Sequence, residues 1–235
     1  MKTLARVMAL AVVASLIALL GVPAANAFSG DNNHGRTYKV TVTNVTDSQI
    51  LTPVTFAAHN QRADLFDLGR PASPEPQQLA ENGNLMPLVE ALPGIRDVRT
   101  SGIGAGAEGP LAPGATRQFE LSAPRNARLI STVQMIVCSN DGFTGLDSLQ
   151  LPTRKWETVK VYAYAWDAGT EKNTGDLNDL VPPCSPEGIG TGATDSTLSE
   201  GGVIAPHRGL TGEAGEMFSF DADGPIAVYE ITRTR

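Results

Sequence analysis

The chain has 235 residues, 41% of them hydrophobic, and carries 25 acidic against 18 basic side chains, a formal net charge of −7. That length and apolar content suffice for one packed core, and nothing in them demands a second. The acidity weighs against nucleic acid or anionic lipid as a partner held by charge alone, and is compatible with divalent cations.

The N-terminus reads as a secretory signal peptide of bacterial look. Lys2 and Arg6 precede an apolar run from Val7 to Leu20, and Ala25-Asn26-Ala27 is a small-x-small cleavage site. The run is shorter than the ~20 residues of a spanning helix, and no Cys follows the site to accept a lipid. The expected product is secreted or periplasmic, with no transmembrane anchor after cleavage. Residues 1–27 are assigned to the signal, 28–36 to a flexible leader and 37–235 to one domain. Without Lys2 and Arg6 the charge becomes −9, from 16 basic and 25 acidic side chains.

Tyr38 to Thr43 alternates apolar and polar β-branched residues, the pattern of a half-buried strand, and Ile50 to Ala58 is a second strand with Pro53 near its start. The segment from His59 to Gln78 has no period and is expected to be irregular. Leu85, Leu88, Val89 and Leu92 fall on one face of a short helix, with Asn84 as its cap and Pro93-Gly94 as its end. It is expected to be the one substantial helix. Gly102 to Gly114 reads as an exposed loop. Arg117 to Leu121 is a strand whose expected neighbour is Arg128 to Cys138, and Thr158 to Trp166 is a single strand presenting alternate faces. Lys172 to Gly224 is rich in Gly, Pro, Ser and Asp and shows no regular element, which is unusual unless it is functional or pinned. Ile226 to Arg233 closes the domain. The pattern points to an all-β fold, an antiparallel β-sandwich with one short helix and long loops.

Cys138 and Cys184 are the only cysteines. In an oxidising compartment a disulfide is their leading reading; two Cys without a nearby His are too few for a structural zinc. His34, His59 and His207 stand alone in polar surroundings and are read as incidental surface residues. No nucleophile elbow or zinc-protease motif occurs, and no catalytic residue is assigned.

Asp141, Asp147, Asp167 and Glu171 are oxygen donors near strand ends, and Gly169 lets the turn from Trp166 to Glu171 double back. Calcium takes six to eight such oxygens from bendable loops. Solvated turn residues are the competing reading, with Asp141-Gly142 as an ordinary hairpin turn. The run Val133 to Leu149, with Cys138-Ser139-Asn140-Asp141-Gly142 inside it, followed by Trp166-Asp167-Ala168-Gly169-Thr170-Glu171, resembles the paired signature of the spondin domain family, as in F-spondin and mindin. The resemblance is strongest over 131–171 and extends over about 37–233. It implies a spondin-type β-sandwich holding calcium through Asp141, Asp167 and Glu171. Glu171 stands where the family carries Asp, Gly142 replaces an aromatic residue that would add an exposed contact surface, and Cys138 replaces Ser or Pro, consistent with a bond to Cys184.

The function implied is an exported, non-catalytic adhesion module that binds calcium and an extracellular or surface protein or glycan, with no nucleic acid as partner. An exported metal-dependent hydrolase using the acidic cluster and a purely structural secreted protein are the alternatives.

Overall fold

Alternation of apolar and polar residues produces the first strand, β1 (Arg36–Asn44), which buries Tyr38, Val40 and Val42 and exposes Lys39. The computed structural model describes residues 35–61, 63, 65–104, 109–185 and 194–235. The segments expected to be signal peptide and most of the expected leader therefore lie outside the described residues, and Arg36 belongs to β1 rather than to the leader.

Among the described residues, ten strands form two antiparallel sheets. In the four-stranded sheet β1 lies between β4 (Thr116–Ala123) and β10 (Ala227–Arg233), and β7 (Thr158–Ala163) forms the far edge beside β10. The second sheet runs in the order β3 (Val98–Gly104), β2 (Val54–His59), β5 (Leu129–Met135), β6 (Gly142–Gln150), β8 (Ala165–Asp167), β9 (Ala205–Pro206). Tyr38, Val40, Leu121, Ile130, Tyr229 and Ile231 belong to the core between the sheets. The expected sandwich is the architecture found.

A second core lies on the other face of the six-stranded sheet, where Leu79, Leu88, Leu92, Met135, Phe143, Leu177 and Ala214 pack. This explains why β2 is buried at every position and β5 at nearly every one: their sheet is covered on both faces. The covering layer corrects the expectation of one substantial helix. The longest helix among the described residues is α1 (Pro74–Asn82), which begins inside the stretch expected to be irregular and runs past its end at Gln78. Pro74 sits in its first turn, where no N–H is needed, and Gly83 at φ 63° ends it by returning its N–H to the carbonyls of Gln78 and Leu79. The expected helix is shorter, α2 (Met86–Ala91), continuing into a 3-10 turn over Leu92–Gly94; its cap position is Leu85 rather than Asn84. A third helix, α3 (Gly212–Phe218), and a 3-10 turn at Leu177–Asp179 lie in the segment expected to lack regular structure.

Three further expectations are corrected. β4 pairs with β1 and not with β5, because Pro124 to Arg128 carries the chain from one sheet to the other. The stretch from Thr158 to Trp166 is two strands in different sheets, β7 beside β10 and β8 beside β6. Gly102 and Gly104, placed in a loop by sequence, belong to β3. No helix among the described residues is long and apolar enough to cross a membrane.

Candidate metal centre

The apolar run of β5 ends in a tight return to β6. Ile136 donates its N–H to the Gly142 carbonyl at 2.8 Å. Inside the return, Ser139 Oγ donates to the Ile136 carbonyl at 2.6 Å and accepts from Gly142 N–H at 3.0 Å. Gln49 clamps the Cys138 backbone from both sides, with Nε2 on its carbonyl and Oε1 accepting its N–H. Cys138 is bonded to Cys184, which joins the return to the loop after Leu177–Asp179. Asp141 therefore stands at the start of β6 in a segment fixed from three directions.

The second acidic segment folds onto it. β8 pairs with β6 so that Asp167 lies opposite Gly142, and Ala168 N–H donates to the Asp141 carbonyl at 3.2 Å. Gly169 then turns the chain at φ 68°, where an added Cβ would stand 2.5 Å from the Val203 nitrogen, so only glycine fits. The turn delivers three donors to one oxygen: Asp141 Oδ2 accepts from Thr170 N–H at 2.7 Å, from Thr170 Oγ1 at 3.2 Å and from Glu171 N–H at 3.0 Å. The two strand ends meet.

The carboxylates are unequally placed. Asp141 is fully buried, and its Oδ1 has no hydrogen-bond partner among the described residues. Burial, with the Asp167 charge beside it, pushes the Asp141 carboxyl up to about 6 against the pull of its three donors. Asp167 is half-buried; its Oδ1 accepts from Gly169 N–H at 2.7 Å and its Oδ2 from Asn173 Nδ2 at 2.6 Å. Glu171 is buried, and its carboxyl is raised to about 8, first by desolvation and next by Glu81 of α1; Asp141 acts on it more weakly, and Asp195 N–H donates to it. Glu81 in turn accepts from Gln77 at 2.7 Å and from the Thr194 hydroxyl. Glu171 thus touches Asp141 through its backbone, while its side chain has Glu81 as principal charged neighbour. Asp147 faces solvent further along β6, away from the cluster. Among the described residues, no three His, Cys, Asp or Glu side chains come close enough together to hold a metal ion.

Three residues were misread from sequence. His207 is not a surface residue: it is 2% exposed, packs edge-on against Phe220 and lies beside Gly142. Its Nδ1 accepts from Gly209 N–H at 3.0 Å, so the neutral ring carries its proton on Nε2, which has no partner among the described residues. Burial lowers its basicity and Asp167 opposes that effect. His59 is likewise buried, bonded to Ser131 and to the Asn60 carbonyl. Gly142 is no missing contact surface, because it is buried and an added Cβ would stand 2.4 Å from Ser139 Oγ. The burial of His207 has no local signature, since Pro206 and Arg208 flank it like any loop residue.

This donor set suits a hard cation. The free acceptor is a carboxylate oxygen, its neighbour is a second carboxylate, and the one nearby nitrogen ligand is protonated on the atom it would offer. A family model described as Spondin_N matches residues 31–180, more than half of the chain, and the span includes both acidic segments and Cys138. No curated protein matches the chain.

Proposed function

The chain belongs to the spondin N-terminal domain family, and from that premise we propose that it is an exported, non-catalytic, calcium-binding module that attaches to an extracellular or surface protein or glycan. The observation that carries the metal reading is the buried Asp141 carboxylate, with one oxygen unpartnered and the Asp167 charge beside it. Asp141 and Asp167 would hold the ion, and Glu171, the third carboxylate of the family signature, would join them only by turning its side chain away from Glu81. A bound calcium ion supplies positive charge that the pair lacks and draws the two acidic turns to one point, so it stiffens this end of the sandwich. His207, with its Nε2 proton, adds a donor on the Gly142 side and no ligand.

A ligand that binds only the folded state raises the melting temperature by mass action. At a hundredfold excess over its dissociation constant, calcium is worth about 2.7 kcal/mol, a shift of a few degrees for a domain of this size. Asp167→Ala removes that shift. Identical melting curves in calcium and in chelator for the unaltered protein would sink the metal reading, and calcium-sensitive capture on a glycan or matrix-protein array would support attachment.

A further inference from the structure

The pole of the sandwich opposite the acidic turns is basic, although the chain as a whole is acidic. Topology gathers it from four segments: Arg36 opens β1, Arg128 precedes β5, Arg154 and Lys155 lie in the β6–β7 connection, and Arg233 and Arg235 lie at and beyond the end of β10. Hydrogen bonds make these neighbours. Leu151 N–H donates to the Arg128 carbonyl at 2.8 Å, Arg233 N–H to the Glu157 carbonyl at 3.0 Å, and Thr37 N–H to the Arg235 carbonyl at 3.3 Å. The one acidic side chain of the connection, Glu157, accepts from the backbone N–H groups of Thr153 and Arg154. All six cations are exposed or half-buried.

At the centre of this pole stands Trp156, 68% exposed and the most exposed of the large hydrophobic residues described. Its φ of 67° lies in the left-handed region, which a bulky residue rarely adopts. The conformation is enforced by the frame around it: Trp156 N–H donates to the Arg233 carbonyl at 2.7 Å, and Glu157 N–H to the Arg154 carbonyl at 3.1 Å. Lys155 Nζ stands 5.0 Å from the ring centroid over one face. A strained backbone that holds an indole out of the core, with Lys155 over one face and its N–H bonded to the Arg233 carbonyl, is a costly arrangement for packing alone, and strain of this kind collects at binding sites.

We propose that this basic pole binds an acidic polysaccharide, with sulfate or uronate groups on Arg154, Lys155 and the arginines beside them and one sugar ring stacked on Trp156. The inference deepens the surface-binding reading above and rests on it for export, but not for calcium. Guanidinium groups pair with planar carboxylates and with sulfate through parallel N–H donors, and an exposed indole supplies the flat apolar surface that a sugar ring covers. A single aromatic platform suits one sugar better than a run of stacked bases. Trp156 is the one exposed large hydrophobic residue of the β6–β7 connection, which gives a bilayer little apolar surface to enter.

The test uses the mature chain in chelator, so that failure of the calcium site leaves it intact. Dextran sulfate, alginate and uncharged dextran are titrated at low and physiological salt, with indole fluorescence and calorimetry as readouts. Expected are binding to dextran sulfate or alginate and none to dextran, with affinity falling as salt rises. Arg154→Ser with Lys155→Ser weakens binding at least tenfold, and Trp156→Gly at least fivefold. Because glycine relieves the positive φ, Trp156→Gly keeps or raises the melting temperature, which separates lost binding from lost folding. The proposal fails if neither charged polysaccharide binds, if dextran binds equally, if the variants bind like the unaltered chain, or if single-stranded DNA or phosphatidylglycerol vesicles bind more tightly than both.

Discussion

A fully buried carboxylate beside a second carboxylate keeps its charge only if something offsets the loss of water, and Asp141 has three donors on one oxygen and none on the other. The consequence is a dependence of stability on pH. Asp141, raised to about 6, and Glu171, raised to about 8, both hold protons in the folded chain at pH values where the unfolded chain has released them. Their contribution is therefore complete below the unfolded values near 4 and is lost as pH rises through 6 and 8. In chelator, the melting temperature should fall between pH 5 and pH 8; for Asp141 alone the effect is about 3 kcal/mol at most. On the calcium reading the ion competes with those protons, so its stabilisation should grow over the same range. A calcium shift equal at pH 5 and pH 8 would contradict carboxylate ligation. Glu171→Gln resolves the third ligand: loss of the shift makes Glu171 one, and retention leaves it as a carboxyl buried against Glu81. Asp141 and Asp167 stood out in the sequence as acids that end β-branched runs, a pattern shared by solvated turns, and what the sequence could not supply was that the two turns meet. The direction of the Glu171 side chain was not legible, since it depends on α1, which approaches from ninety residues earlier.

Strands with one covered face announced themselves through alternation, as in β1 and β10, where a period of two is forced by a core on one side and water on the other. Partners were harder to read. β4 and β5 are sequence neighbours and look like a hairpin, yet β4 completes the sheet of β1 while β5 enters the other, a choice made by the inter-sheet core. α1 escaped notice because Pro74 and Pro76 occupy its first turns and its buried residues, Pro76, Leu79 and Ala80, span barely one turn of apolar pattern. Two contacts that join elements carry measurable stability. Tyr229 of β10 donates its hydroxyl to Gln134 Oε1 of β5 at 2.6 Å, and Gln134 donates to the Thr52 carbonyl at 2.7 Å. Tyr229→Phe leaves that buried amide oxygen without its partner and should cost about 1–3 kcal/mol in denaturant unfolding. The Cys138–Cys184 bond closes a loop with a sequence separation of 46 residues, for which the chain-entropy argument gives about 4 kcal/mol. Replacing both cysteines by Ser should lower stability by about 2–4 kcal/mol, and should weaken calcium binding as well, because the bond holds the return that carries Asp141. An unchanged calcium affinity in that variant would show that Gln49 and Ser139 fix the return without it.

Over the whole molecule, the net charge of −7 conceals a separation of charge along the strands. Asp141, Asp167, Asp176, Asp179, Asp221 and Asp223 lie where β5 ends and β6 and β10 begin, whereas Arg154, Lys155, Arg233 and Arg235 lie where β6 and β10 end. Composition alone argued against polyanionic partners, and the topology removes that argument for one pole, since strand direction decides which side chains share an end. The nine residues of β6 place the two poles about 25 Å apart, against a Debye length of ~8 Å at physiological salt. Charge on one pole is therefore nearly invisible at the other, and the six-stranded sheet between them is packed on both faces and does not transmit small shifts by bending. Calcium at Asp141 and Asp167 should change dextran sulfate affinity at Trp156 by less than ~2-fold at 0.15 M salt, and by more at low salt, where screening is weaker. Reciprocity requires dextran sulfate to leave calcium affinity equally unmoved. Paired titrations at the two salt concentrations measure both, and a change of tenfold or more at 0.15 M would mean that the poles are linked through the fold rather than through charge.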